Sequence, residues 1–228
     1  MSQVYAFLVG PGLAISLAVF FGGLLFRLVW YFNGLDWKLE RVAYKTHLGA
    51  GMTGGIHSAA RWLVPFGTYG WRAQPFFALC FFLFHIGAVL IPFFLIGHNE
   101  ILKMSFGFSL PGLPQCLADT LTVAAIIGLV FIALRRIALS EVRILTTWYD
   151  YFILALAGVP FVTGFIARLG AGGEYWLLAH IISGELMLIL APFTKLSHIV
   201  LYFGSRWQLG ADYAIKRGGH RRGPCFPW

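Results

Sequence analysis

Apolar residues in this chain do not alternate; they run on. Five long hydrophobic stretches cover Tyr5–Phe32, Pro75–Gly97, Leu117–Leu134, Tyr149–Leu169 and Glu174–Phe203. At about 1.5 Å of rise per residue, stretches of this size are what a helix needs to cross a bilayer core of roughly 30 Å. Basic residues gather between them in a one-sided way. Lys38, Arg41, Lys45, Arg61 and Arg72 lie in the connection 33–74, and Arg135, Arg136 and Arg143 lie between the third and fourth spans. The tail 204–228 adds Arg206, Lys216, Arg217, Arg221 and Arg222, whereas the opposite loops carry only Lys103 and Arg168. Cationic loops stay on the cytoplasmic side. The pattern therefore predicts an all-α, polytopic membrane protein: a five-transmembrane-helix bundle in the cytoplasmic (inner) membrane, one integral-membrane domain over 1–228. Its N-terminus is expected outside and its C-terminus in the cytoplasm. The first run lacks a basic leader and a small-residue cleavage site, so it is expected to be a retained helix.

Composition sharpens this picture. The chain is 59% hydrophobic and 11% charged, against about a quarter charged for soluble domains. Its net charge of +8 is explained by the inner loops, which removes nucleic acid as a partner. Cys80, Cys116 and Cys225 are far apart and form no CxxC, so neither an iron–sulfur centre nor a disulfide framework is expected within the chain. Gly49–Gly54 reads GAGMTG and matches GxGxxG. No strand precedes it and no βαβ unit surrounds it, so it is not a dinucleotide loop. The stretch Trp37–Arg72 mixes apolar, aromatic and basic residues. It suits an amphipathic helix at the inner headgroup layer, either as an anchor in membrane lipid or as a docking surface for a cytoplasmic subunit. The outer connection, NEILKMSFGFSLPGLPQCLAD, is expected to fold back onto the outer membrane face.

The chemistry lies in the histidines. The second span carries His85 and ends near His98; the fifth carries His180 and His198. Imidazole is costly in hydrocarbon and needs a reason to be there. Two neutral imidazoles from two helices are what haem iron takes as axial ligands. Read as one helix, His180 and His198 are five turns apart on one face, separated by roughly 27 Å. His85 and His98 are about 20 Å apart on an ideal helix but about 140° from a shared face. Pro92 lies between them and can kink or unwind that helix. The second and fifth spans run in opposite directions, so His85 pairs with His198 at the inner side and His98 with His180 at the outer side. The alternative is that these histidines only hydrogen-bond between helices or line a polar cavity. His47, His57 and His220 fall in cytoplasmic segments and are read as surface or interface residues.

Phe84-His85-Ile86-Gly87, the spacing of His180 and His198, and Pro192-Phe193-Thr194-Lys195-Leu196-Ser197-His198 resemble the respiratory nitrate reductase gamma subunit family of di-haem cytochromes b. The segment Trp62–Asn99, with its VPFG, WRAQP, FHIG and GHN elements, is most similar to the membrane cytochrome b of tetrahaem cytochrome complexes of sulfate reducers. The resemblance implies two b haems, His85 and His198 as ligands of the inner haem, and His180 as a ligand of the outer one. The family places the fourth ligand about ten residues after His85, where Leu95 stands; His98 follows three residues later.

The expected function is that of a di-haem membrane subunit of an oxidoreductase complex in anaerobic respiration. Electrons would pass between quinone, menaquinone in the first instance, at the outer side and a cytoplasmic iron–sulfur subunit at the basic inner face. Glu185, about one turn beyond His180, and Glu100 are candidates for proton transfer. Lys195 and Arg27 lie near inner span ends, where either could pair with a haem propionate or snorkel to the headgroups. Two alternatives stay open: a conduit from a periplasmic multihaem cytochrome c, and a haem-free proton or solute transporter.

Overall fold

The computed structural model describes residues 2–35 and 48–216, and every regular element among them is helical. The first span is one long rod, Gln3–Asn33. It is built of α1 (Ser2–Phe7), a π-turn at Leu8–Gly12 containing Pro11, and α2 (Leu13–Asn33). Then follow α3 (Leu48–Leu63), the short α4 (Tyr69–Ala73), α5 (Pro75–Phe94) and α6 (Ile96–Phe106). After these come α7 (Gln115–Ala138), α8 (Ser140–Arg143), α9 (Trp148–Arg168), α10 (Glu174–Leu190) and α11 (His198–Lys216). Among the described residues, five helices are long and apolar enough to cross a membrane: Gln3–Asn33, Pro75–Phe94, Gln115–Ala138, Trp148–Arg168 and Glu174–Phe193. The five-span expectation agrees with this. Lys38, Arg41, Lys45, His47, Arg217, His220, Arg221, Arg222 and Cys225, all placed on cytoplasmic segments above, lie outside the described residues.

Two of the expected spans are shorter than their hydrophobic runs. The fifth is not one helix over 174–203. Pro192 brings no N–H and removes a donor from the ladder, and here α10 ends at Leu190. A 3-10 turn at Ala191–Phe193 follows, Thr194 is extended (φ −121°, ψ −175°), and a second 3-10 turn at Lys195–Ser197 leads into α11. His180 and His198 therefore sit on different helices, and the shared-face and 27 Å estimates, which assume one rod, do not apply. The second span likewise stops at Phe94, because Leu95 is extended (φ −69°, ψ 131°). His98 belongs to α6, so its direction is set afresh and the drift of about 140° along α5 is irrelevant.

The chain forms two compact units. The first takes residues up to Phe20 and Leu79–Thr194. Here α9 packs on α10 and α7, and small residues set the spacing. A Cβ at Gly87 would stand 2.7 Å from the Ala125 Cβ of α7, so the glycine of the FHIG element lets α5 and α7 touch. Thr147 and Asp150 form a reciprocal capping box that starts α9.

The second unit takes the described residues from Phe21 to Ala78 and from Lys195 onward. Its centre is the crossing of α3 and α11. Gly51, Gly54, Gly55 and Ser58 form the buried face of α3. A Cβ on Gly55 would stand 2.7 Å from the Trp207 indole nitrogen, and a Cβ on Gly210 would stand 2.6 Å from the Ser58 Cβ. The glycines of GAGMTG thus include part of a helix-packing face. Tyr202 donates to the Ala59 carbonyl (3.0 Å), and the Arg206 guanidinium lies 3.9 Å over the Trp62 ring. His57 is on α3, where burial, then the charge of Arg61 beside it, lowers its pKa from the ordinary histidine value.

Candidate functional site

The site grows out of the break at Leu95. Where a helix ends, its last carbonyls lose their intrahelical donors. Here side chains from α6 and the following loop supply them. His98 Nδ1 donates to Pro92 O (3.1 Å), and Asn99 Nδ2 lies 3.3 Å from both Phe93 O and Leu95 O. The Leu113 N–H donates to Phe94 O (2.8 Å). Asn99 is buried, and its Oδ1 accepts from the Leu110 N–H (2.9 Å). The connection between α5 and α7, expected to fold back onto the outer membrane face, folds back onto the end of α5 through these bonds.

His180 reaches the same place from α10. Its Nδ1 donates to Pro160 O of α9 (2.8 Å). One turn after Pro160 stands Gly164, where a Cβ would lie 2.7 Å from that same Nδ1. The absence of a side chain at 164 is what lets the ring approach the carbonyl.

The outcome is a matched pair. The His98 and His180 rings have centroids 5.8 Å apart and planes within 5° of parallel. With Nδ1 donating to a carbonyl, each ring is the tautomer whose lone pair sits on Nε2. Burial, then the neighbouring His180, lowers the His98 pKa, while its carbonyl bonds act in the opposite sense. A buried, neutral imidazole with an oriented Nε2 is the form that binds a metal. Of the two pairings expected from topology, the structure brings His98 and His180 together within the first unit.

His85 and His198 follow the same rule, each in its own unit. His85 Nδ1 bonds Phe81 O (2.8 Å), and its ring lies on Phe81 with centroids 3.9 Å apart. His198 opens α11 with Nδ1 on Lys195 O (2.8 Å). Lys195, picked out for its ammonium, thus also provides the backbone carbonyl that orients this histidine.

Glu185 lies on α10, and its carboxylate faces the π-turn of the first span. A Cβ at Gly12 would stand 3.2 Å from both of its oxygens. Its Oε1 is buried with no hydrogen-bond partner among the described residues. Glu100 is exposed on α6. Arg27, in α2, opens onto a cavity described below.

Asn99, Pro160 and Gly164 were not singled out as site residues. One signal in the sequence pointed at the breaks. Pro92-Phe93 precedes His98 by the same six residues as Pro192-Phe193 precedes His198. Both histidines therefore sit in the first turn of the helix that follows a proline-disrupted helix end. For Gly164 no local signal exists, because its partner is a ring on another helix.

The fold and site thus define a protein that is all-helical over its described residues, with five membrane-length helices and a half-buried histidine pair. No family model and no solved structure matches the chain. A protein of Nitratidesulfovibrio vulgaris (strain Hildenborough) is 71% identical over 226 residues, which is 99% of this chain and 100% of that one. The chain belongs to the same family as that protein, whose name, "Protein", carries no function.

Proposed function

We propose that this chain is the di-haem b membrane subunit of a respiratory redox complex. It passes electrons between quinone at the outer side and a cytoplasmic iron–sulfur subunit, with its N-terminus outside and its C-terminus in the cytoplasm of a cell with an inner membrane of this polarity. The observation that carries the proposal is the geometry of His98 and His180. Two metal–imidazole bonds of about 2 Å each, with ring centres roughly 1 Å beyond the nitrogens, put centroids about 6 Å apart. The observed centroid separation of 5.8 Å is close to that distance. The carbonyl bonds on Nδ1 supply the outer-shell orientation that ligating histidines need.

In this proposal His98 and His180 hold the outer haem, and His85 and His198 hold the inner one. Bound haem supplies reversible one-electron carriage. The protein's own residues supply the rest. Glu185, a carboxylate in a membrane-length helix about one turn beyond His180, would accept the proton that quinol releases. Glu100, at the exposed outer edge, passes protons to solvent. At the inner side the connection after α7 offers the docking surface. Arg136 donates to Thr146 (3.3 Å) and Arg143 to Ile137 O (3.1 Å), which fixes a loop whose Ile144 and Leu145 are 84% and 81% exposed. An apolar tip ringed by arginines suits an acidic protein surface. Arg61 and Arg72, both exposed in the second unit, add to the basic inner face.

Pyridine haemochrome assay of the purified chain is expected to return two b haems per polypeptide. A clean, folded preparation without haem refutes the proposal. For the proton role, Glu185→Gln keeps size but cannot accept the proton. It is expected to slow quinol-driven haem reduction by ~10²-fold or more with haem content unchanged. If no quinol analogue reduces either haem, a periplasmic cytochrome is the electron donor instead.

A further inference from the structure

In the second unit, the last turns of the first span carry a second, separate feature. Arg27, Trp30, Tyr31 and Gly34 stand at i, i+3, i+4 and i+7, one stripe of a helix. With Leu35 and with Leu201 of α11 they line a cavity of about 430 Å³. Tyr31 donates its hydroxyl to Gln208 Oε1, which ties this wall to α11. The Arg27 guanidinium lies 5.4 Å from the Trp30 ring centre, and its Nε is buried with no hydrogen-bond partner among the described residues. The ion pair found among the described residues, Arg168–Asp119, does not involve it. Arginine stays charged in proteins, and a guanidinium with a buried, unbonded N–H is costly unless an anion completes it. The aromatic wall of the cavity continues outward: Trp30, which lines it, stacks with Phe26 at 6.1 Å, and the two are 59% and 62% exposed.

From this geometry we infer that the Arg27 cavity is a receptor for an anionic oxygen group, carboxylate or phosphate, carried on an amphipathic ligand whose apolar body lies against Phe26 and Trp30. Two ligands share that chemistry. One is a propionate of the haem held by His198, an assignment that rests on the proposed function. Its support is local: Leu201, a cavity wall, is three residues after His198 on α11, one turn along the same face. The other is the phosphate of an anionic phospholipid, entering from the headgroup layer.

The test uses the full-length chain purified in detergent as wild type, Arg27→Gln and Arg27→Lys, with redox titration of the haem bands and mass spectrometry of co-purified lipid. If the ligand is a propionate, Arg27→Gln lowers the midpoint potential of one haem only, the one that His198→Ala removes, since losing a cation disfavours the reduced state. Arg27→Lys keeps the charge and recovers most of that shift. If the ligand is a phospholipid, both potentials stay put. Retention of phosphatidylglycerol then falls about tenfold or more in Arg27→Gln, the loss expected for a charge-assisted hydrogen bond. Unchanged potentials together with unchanged lipid in both variants overturn the inference. A wild-type preparation without haem refutes the proposed function alone and leaves lipid retention to decide the cavity. Arg27→Lys also serves as the readable variant if glutamine prevents folding.

Discussion

Two interrupted helices in this protein start from the same residues and end differently. In each, a Pro-Phe pair precedes a histidine by six residues: Pro92 before His98, and Pro192 before His198. After Pro92 the helix holds only through Phe94, breaks sharply at Leu95, and is repaired from outside by His98, Asn99 and Leu113. After Pro192 the chain tightens into two short 3-10 turns, with Thr194 bonding back to Ala191 (3.3 Å) and His198 to Lys195. The first break is long-range, and its histidine reaches six residues back across the gap. The second is closed by near neighbours, and its histidine bonds three residues back. The same local disruption therefore fixes one histidine through tertiary structure and the other through its own turn. Variants remote in sequence should disturb the His98–His180 site far more readily than the His198 turn.

On the proposed function, the largest expected effect comes from removing the proposed haem ligands. His98→Ala and His180→Ala should each halve the haem content, taking the same haem, while His198→Ala should take the other. Haemochrome stoichiometry with low-temperature spectra of the α-bands reads this directly. Two variants that remove different haems from the outer pair would break the comparison.

Next in size is Gly164→Val. Its side chain must displace the His180 ring, whose Nδ1 would lie 2.7 Å from the new Cβ. Overpacking of this kind costs about 1–3 kcal/mol. The haem proposed for His98 and His180 should be lost or spectrally shifted, with the other untouched, although position 164 is sixteen residues from His180.

Asn99→Ala sharpens the contrast between the two breaks. It leaves Phe93 O and the Leu110 N–H without their side-chain partner. An unsatisfied buried polar group costs about 1–3 kcal/mol. A lower thermal midpoint in detergent and faster hydrogen exchange around Leu95–Leu113 are expected. The same Asn99→Ala variant should leave exchange around His198, whose turns close locally, near wild type.

The smallest effect belongs to Thr147→Ala, which removes the capping box at the start of α9. A lost N-cap costs about 0.5–2 kcal/mol. The expected result is a modest drop in thermal midpoint with both haem bands in place, because α9 still presents Pro160 O through its packing on α10.

Much of this protein is legible along the chain because the relevant physics is local. Hydrophobic length determines the five spans, since a membrane-length run such as Gln115–Ala138 needs no partner to satisfy its backbone. The rarity of histidine in apolar sequence singled out His85, His98, His180 and His198 for the same reason. What tertiary structure decided is where the ladders stop and which way the rings then turn. Pro192 marks a place where a helix can fail, but whether the ladder resumes depends on which donors reach the freed carbonyls. For His98, lodging at Pro92 O depends on Leu113 and Asn99 closing the gap behind it. For His180, it depends on a carbonyl and a missing Cβ twenty and sixteen residues away on α9. Periodicity along one helix carries no information about such partners, because a hydrogen bond across helices is set by their packing and not by residue spacing.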